Sequence, residues 1–355
     1  MDSLAEQLRE TGADGAREWL RSLRRAVHDP LLPQYLAWKY GGERLLARAG
    51  HVYPAACYRA RQTEVESVLG ALDETPAAGT NDDTVSCLAR LVDPGLTNGH
   101  IYVMRRFSAG ARLTVDCGLG RYFGMLDTCS AIEVELRAAI CAGGDDPAAL
   151  DAKLSLRRAT HEAAGGDPIA CGAGRVAAFG LSLLVACRAS DGYRMRLARR
   201  GNGGLGLGAG QLHAVPSGMF DFLDARRDYS VGAKLREEYA EELFGNRAGA
   251  LDELDRLLET GGARMFLTGV AMDLLNLRPE ICALLIIDTP DWLERAQRAR
   301  LNDEFLPETP EDGYNGWVKL AGDEAMVLDA GLTPARMIPP GAAAFWLGVD
   351  VLRQS

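Results

Sequence analysis

Residues 231–245 read VGAKLREEYAEELFG, and this stretch carries the clearest structural signal in the chain. Four apolar residues recur in it at intervals of four: Val231, Leu235, Tyr239 and Leu243. This spacing predicts an amphipathic helix over 231–244 whose apolar stripe packs on a sheet. A glycine closes the stretch, which therefore has a definite end.

The same helix carries a group of carboxylates. Glu238, Glu241 and Glu242 stand at i, i+3 and i+4, so their side chains share one face of the helix. Three carboxylates this close repel one another, whereas a hard divalent cation such as Mg²⁺ prefers oxygen ligands and would bind them. The same spacing is also typical of a solvated acidic face that leans on Lys234 and Arg236. Both interpretations stay open on the helix alone.

The sequence on both sides of this helix mixes strands and helices. Long apolar stretches predict strands at 174–190, 264–276 and 280–289, and a terminal helix is predicted at 339–353. These patterns predict an α/β (α+β) chain in which helices flank a mixed sheet. We divide it into an N-terminal domain, residues 1–150, mainly helical with some strands, and a second domain, residues 151–355.

Two segments of the chain need separate interpretation. Residues 3–72 show helical periodicity, including EVESVLGALDE at 64–74, and strands are predicted only after them, at 100–107 and 111–119. GNGGLGLGAG at 201–210 does not fit a P-loop and is a weak dinucleotide signal, so we expect it to connect two strands of a hairpin.

Composition excludes several classes of protein. The 355 residues carry a net charge of −10, which disfavours a nucleic-acid-binding surface. No run of about 18 apolar residues predicts a membrane span, and the N-terminus lacks the pattern of a signal peptide. The eight cysteines include no C-x-x-C pair and predict reduced, mostly buried thiols. We therefore expect a cytoplasmic protein.

The order of strand, VPSG turn and E-x-x-E-E helix resembles the Nudix hydrolase family over residues 170–353. Glu238-Tyr239-Ala240-Glu241-Glu242 matches the E-U-x-E-E part of the family motif, where U is apolar, and Gly218 matches its opening glycine. The resemblance implies an α/β/α sandwich. It also implies that Glu238, Glu241 and Glu242 bind Mg²⁺ or Mn²⁺ and that Gly218 helps to form the substrate site.

The activity implied by this resemblance is the attack of water on a nucleoside diphosphate derivative or another organic diphosphate. Glu241 would act at the catalytic centre, and the base would come from Glu280 or from an acid near Trp317, for which Glu311 is the main candidate beside Glu308 and Asp312. Arg199 and Arg200 would face the substrate phosphates.

The chain also departs from the family motif. Glu237 stands at the position of the motif arginine, and the loop between Gly218 and Glu238 is longer than the motif has it. Five segments, among them GRYFGMLDTCSAIEVELR and HAVPSGMF, resemble a group of actinobacterial proteins whose Nudix-like region follows a DNA-binding domain, although no helix-turn-helix is evident here.

These departures leave two alternatives beside hydrolysis. One is a catalytically silent Nudix-like module that binds a ligand, and the other is a fold adapted to a different reaction in specialised metabolism, such as isomerisation. We expect the N-terminal region to cover the site or to mediate a homodimer.

Overall fold

The computed structural model describes residues 2–80, 82–144, 146–289, 291–299, 301–307, 316–320 and 331–354. A π-helical turn lies at Leu126–Ser130, and the α-helices differ widely in length. They are α1 (Asp2–Leu23), α2 (Leu31–Tyr40), α3 (Thr84–Val92), α4 (Tyr122–Met125), α5 (Ala131–Cys141), α6 (Pro147–Lys153), α7 (Ser155–Ala163), α8 (Val231–Phe244), α9 (Ala250–Thr260), α10 (Trp292–Arg298) and α11 (Pro339–Leu352). Short 3₁₀ turns lie at Arg24–His28, Gly42–Arg44 and Val65–Val68.

Strands occur in both halves of the sequence. They are β1 (Leu45–Arg48), β2 (His51–Arg59), β3 (Leu69–Pro76), β4 (His100–Ala109), β5 (Leu113–Arg121), β6 (Gly180–Ala189), β7 (Gly192–Arg199), β8 (Leu212–Ala214), β9 (Ser217–Met219), β10 (Asp221–Phe222), β11 (Ala263–Asp273), β12 (Arg278–Ile287) and β13 (Trp317–Leu320). The mixed α/β composition predicted from the sequence is confirmed.

Most strands belong to one large mixed sheet. Its order is β1-β2-β11-β12-β6-β7-β13, with β8 added to β7 and β9 added to β6. The central pair, β12 and β6, is parallel, and its register runs from Glu280 opposite Gly180 to Ile287 opposite Cys187. A smaller sheet has the order β10-β4-β5-β3. Both sheets pair strands from opposite sides of residue 150, since β2 pairs with β11 and β10 pairs with β4.

The large sheet is covered by helices on both faces. Along β6, Leu181 and Leu183 belong to the apolar core that contains the buried residues of α8 and α9. The alternate residues Leu184 and Ala186 belong to a second core, which contains α11. Because side chains alternate between the two faces of a strand, these two cores lie on opposite faces of the sheet. The result is a three-layer arrangement with the sheet in the middle.

One prediction of local structure is wrong. Residues 64–74, expected to be helical, form the 3₁₀ turn Val65–Val68 and then strand β3, which pairs in parallel with β5. β1 and β2 also lie in the stretch expected to be helical. Short apolar stretches of this kind fit either periodicity, and pairing with a neighbouring strand decides between them.

Other local predictions are confirmed. The helix at 231–244, the strands at 100–107 and 111–119 and the terminal helix are all present. Residues 201–210 connect β7 to β8, which pair antiparallel, so they are a hairpin connection as expected. All eight cysteines are free thiols. In the described part of the chain, no helix is both long and apolar enough to cross a membrane.

Candidate functional site

A cleft of about 770 Å³ opens where β6, β9 and β12 meet at one end of the large sheet. Its walls come from distant parts of the sequence: α8, the glycine-rich connection 201–210, the start of α11, and the helical segment from Tyr122 to Arg137. This size is within the range of small-molecule sites. Because Tyr122, Glu133 and Arg137 line the cleft, the N-terminal region forms one of its walls.

Helix α8 is held in a defined orientation above the sheet. Ser230 caps its N-terminus by accepting a hydrogen bond from the Ala233 amide at 3.1 Å, and Glu66 accepts a second one from the Gly232 amide at 2.6 Å. Gly245 ends the helix in the left-handed conformation, with φ 57°. The predicted stripe of Val231, Leu235, Tyr239 and Leu243 is buried throughout. Burial of the stripe determines where the three carboxylates of α8 lie.

Glu238 lies in the cleft and is paired with a lysine one turn earlier. Its Oε1 is 3.1 Å from Lys234 Nζ, which is also 2.6 Å from Asp221 Oδ1. The carboxylate rests against Gly218, where any larger side chain would collide with it. Burial raises the pKa of Glu238, and the neighbouring Lys234 opposes that rise. Gly218 therefore leaves the space that the Glu238 carboxylate occupies.

Glu241 and Glu242 have different surroundings although they are adjacent in sequence. Glu241 is exposed and lines the cleft. Glu242 is buried, and its Oε2 accepts a hydrogen bond of 2.7 Å from the Ser217 amide. Burial raises the pKa of Glu242 well above its ordinary value, and the Ser217 amide opposes the rise. The carboxylate of Glu242 thus supports the backbone at the start of β9.

The α8 carboxylates do not fit a metal ion held by the protein alone. The carboxylate of Glu238 forms an ion pair with Lys234, and that of Glu242 accepts a hydrogen bond from the Ser217 amide. Among the residues that the structure describes, no three His, Cys, Asp or Glu side chains are grouped so as to hold a metal ion. Magnesium or manganese at Glu238, Glu241 and Glu242 stays a prediction.

Glu280, proposed as a base from the sequence, lines the same cleft from β12. Its Oε1 accepts a hydrogen bond from Ser182 Oγ on the adjacent strand β6, and its carboxylate lies over Gly180. Burial raises the pKa of Glu280 to about 7, although Ser182 and the nearby Arg278 and Arg200 oppose the rise. A carboxyl with this pKa can exchange a proton near neutral pH.

Two arginines extend into the cleft near Glu280. Arg200 Nη1 is 3.4 Å from Glu304 Oε2, and Arg278 Nε donates to the Ala178 carbonyl at 3.3 Å. The positive charges of both arginines also lower the pKa of His213, which lies in the cleft wall. Burial first, and then the charge of Arg200, lowers the pKa of His213 to about 3, so its ring is neutral. Arg199, the other arginine predicted to face the substrate, is not among the residues that line the cleft.

A buried polar network forms another part of the cleft wall. Asn276 Nδ2 donates to Glu133 Oε2 at 3.0 Å and to Asp273 Oδ2 at 2.9 Å, and Arg137 Nη2 pairs with Glu133 Oε1 at 2.8 Å. Burial and the charge of Glu133 raise the pKa of Asp273. This network therefore joins α5 to the turn between β11 and β12.

Sequence reasoning missed several residues of the cleft. Arg278 stands two positions before Glu280, so the alternation of β12 could have placed both on one face. No local pattern identifies His213, Glu133 or Asn276 as cleft residues. Glu308, Glu311 and Asp312, the other predicted bases, lie outside the described residues.

Comparison with known proteins does not assign the chain to a family. No protein-family model matches it, and no curated protein matches it.

Proposed function

We propose that the cleft binds an organic diphosphate, such as a nucleoside diphosphate derivative, and hydrolyses it with the help of a divalent cation. One observation carries this proposal: Glu280 shares the cleft with Glu238 and Glu241 and with Arg200 and Arg278. A ligand in the cleft would therefore meet a potential general base, acidic side chains and two arginines that can bind phosphate. The resemblance of α8 to the Nudix motif supports the same reaction class.

The charges of the cleft indicate the form in which the substrate binds. Nine of the lining residues are Asp or Glu, and four are Lys or Arg. A bare diphosphate would be repelled by this excess of negative charge, whereas its complex with Mg²⁺ or Mn²⁺ carries much less charge. We therefore take the cation to enter with the substrate, which agrees with the lack of fit to a metal bound by α8 alone.

The residues of the chain have separate parts in the proposed reaction. The guanidinium groups of Arg200 and Arg278 hold phosphate oxygens by charge-assisted hydrogen bonds. Glu280 accepts a proton from the attacking water, for which a pKa of about 7 is suited. The hydroxyl of Ser217 is buried beside the cleft and has no hydrogen-bond partner among the described residues, so it can bond to a ligand.

The test is a turnover screen over a panel of organic diphosphates, including ADP-ribose, with Mg²⁺ or Mn²⁺. We expect Glu280→Gln to reduce the rate at which the two phosphomonoester products form by about 10²–10⁴-fold, the usual contribution of a general base. Glu241→Gln, at an exposed position in the cleft, is expected to reduce it as well. Glu259→Gln, at an exposed position on α9, is the matched control and should retain wild-type activity. Full activity in Glu280→Gln would contradict the assignment of the base.

A catalytically silent binding module is the second candidate. It is favoured by the Lys234–Glu238 ion pair and by the bond from Ser217 to Glu242, because both draw α8 carboxylates away from a ligand. This candidate predicts that calorimetry detects binding of a diphosphate that the turnover screen leaves intact. A homodimer and a cytoplasmic location stay predictions beside either function.

A further inference from the structure

Three carboxylates from two elements converge on the ammonium group of Lys234. The nearest is Asp221 of β10, at 2.6 Å, and Glu238 follows at 3.1 Å and Glu237 at 3.9 Å. The lysine side chain is only 19% exposed. Oxygen ligands from two elements around one cation are the arrangement that proteins also use for hard divalent metals.

We propose that Lys234 is a built-in substitute for a metal ion in this carboxylate group, so that the free protein has no divalent cation bound to α8. Removing its ammonium group would turn Asp221 and Glu238 into a binding site for Mg²⁺ or Mn²⁺. The proposal goes beyond the reaction proposed above, since it concerns the free protein and holds whether or not the cleft is catalytic.

The position of Glu238 also supports the proposal that a metal ion could replace the ammonium group of Lys234. Its carboxylate lies against Gly218, whose lack of a side chain leaves room for it. That room remains when the lysine is shortened, and the side chain of Glu238 is itself buried. A pre-positioned oxygen ligand favours cation binding because its conformational freedom is already restricted.

The charges that face Lys234 make an empty site unfavourable. Asp221, Glu237 and Glu238 contact the ammonium group, and the charge of Glu241 acts on Glu238 as well. Without the lysine charge, these carboxylates repel one another, and either a proton or a cation would relieve the repulsion. The two outcomes differ in a measurable way, because only the second one binds metal.

Lys234 also competes strongly with a free metal ion for these carboxylates. It is tethered one helical turn from Glu238, so its effective concentration there is far above that of a free ion. Its ammonium group lies 2.6 Å from Asp221 Oδ1 and 3.1 Å from Glu238 Oε1, so it already contacts both carboxylates.

The experiment is a calorimetric titration of Mn²⁺ into the full chain without any diphosphate. We expect no site in the wild type that is tighter than millimolar, and one site in Lys234→Met that is about tenfold tighter or more. Arg236→Met is the matched control: it removes one positive charge from the same helix, where Arg236 pairs with Asp255 at 3.0 Å instead of with the carboxylate group. It should bind Mn²⁺ as the wild type does.

Further variants test whether a gain in Mn²⁺ binding depends on the proposed ligands. Lys234→Met/Glu238→Gln should lose the new site, and Lys234→Gln, which keeps a polar side chain of moderate length, replaces Lys234→Met if that variant does not fold. Equal weak binding in wild type and both lysine variants would overturn the proposal, since protonation would then have neutralised the carboxylates. A tight Mn²⁺ site in the wild type would overturn it without any variant. A failed turnover screen would leave these outcomes unaffected.

Discussion

The carboxylate of Glu280 lies directly over Gly180, the residue that faces it across the parallel pairing of β12 and β6. A Cβ atom at this glycine would occupy the space of the carboxylate, because both positions point to the same face of the sheet. The placement of the proposed base therefore depends on the absence of a side chain on the neighbouring strand.

The first prediction concerns this glycine. Gly180→Ala should displace Glu280 and reduce turnover on the order of 10²-fold, the effect of moving a reacting group by about 1 Å. The added methyl group should also cost about 1–3 kcal/mol of stability, measurable by urea denaturation. Gly99→Ala is the control, since a Cβ atom there meets nothing within 4 Å. Unchanged turnover in Gly180→Ala would show that the position of Glu280 is not needed.

The second prediction is a pH dependence of stability. The pKa of Glu280 in the folded protein is about 7, against an ordinary value of 4.5. The folded state therefore binds this proton more tightly, and the stabilisation is present at low pH and lost as the pH rises from about 4.5 to 7. Between pH 5 and pH 8, the wild type should lose about 2.5 kcal/mol more than Glu280→Gln.

Urea denaturation of both proteins at pH 5 and pH 8 measures this difference. Other groups with raised pKa values, Asp273 among them, are present in both proteins, and their contributions cancel in the comparison. Parallel losses of stability in the two proteins would mean that Glu280 is not the titrating group.

The third prediction concerns the structural role of Glu242. Glu242→Ala leaves the buried Ser217 amide without its acceptor, which should cost about 1–3 kcal/mol relative to Glu242→Gln, where the amide oxygen can still accept. Thermal or urea denaturation compares the two variants. Equal stability of both would contradict the role assigned to Glu242.

The fourth prediction concerns Arg157, a fully buried residue of α7. Its guanidinium donates to the carbonyls of Leu274, at 2.9 Å, and Leu275, which belong to the turn that carries Asn276 into the cleft. Arg157→Met should cost about 1–3 kcal/mol for each carbonyl left without a donor. Arg158→Met changes an exposed neighbour and should be nearly neutral in the same denaturation assay. A neutral Arg157→Met would show that the turn is held by other contacts.

Part of the site can be anticipated from the sequence. Glu238, Glu241, Glu280, Arg200 and Gly218 are all sequence candidates, and the structure places all five around one cleft. Helical spacing identifies Glu238 and Glu241. Gly218 and Glu280 follow from the resemblance to the Nudix motif, and Arg200 from its place between a strand and the glycine-rich connection. The wall formed by α5 could not be found in this way, because the hydrogen bond from Asn276 to Glu133 joins residues 143 positions apart in the chain.

The sequence by itself determined helix α8, since a stripe of four apolar residues at intervals of four can be buried only in a helix of that periodicity. It also determined the long apolar strands of the central sheet. Only the tertiary structure decided the fate of the three carboxylates that helical spacing grouped together. Packing of α8 on β9 buries Glu242 against the Ser217 amide, sets Glu238 against Lys234 and leaves Glu241 exposed. Spacing along a helix defines which side chains share a face, but the partners of that face come from strands that the local sequence does not specify.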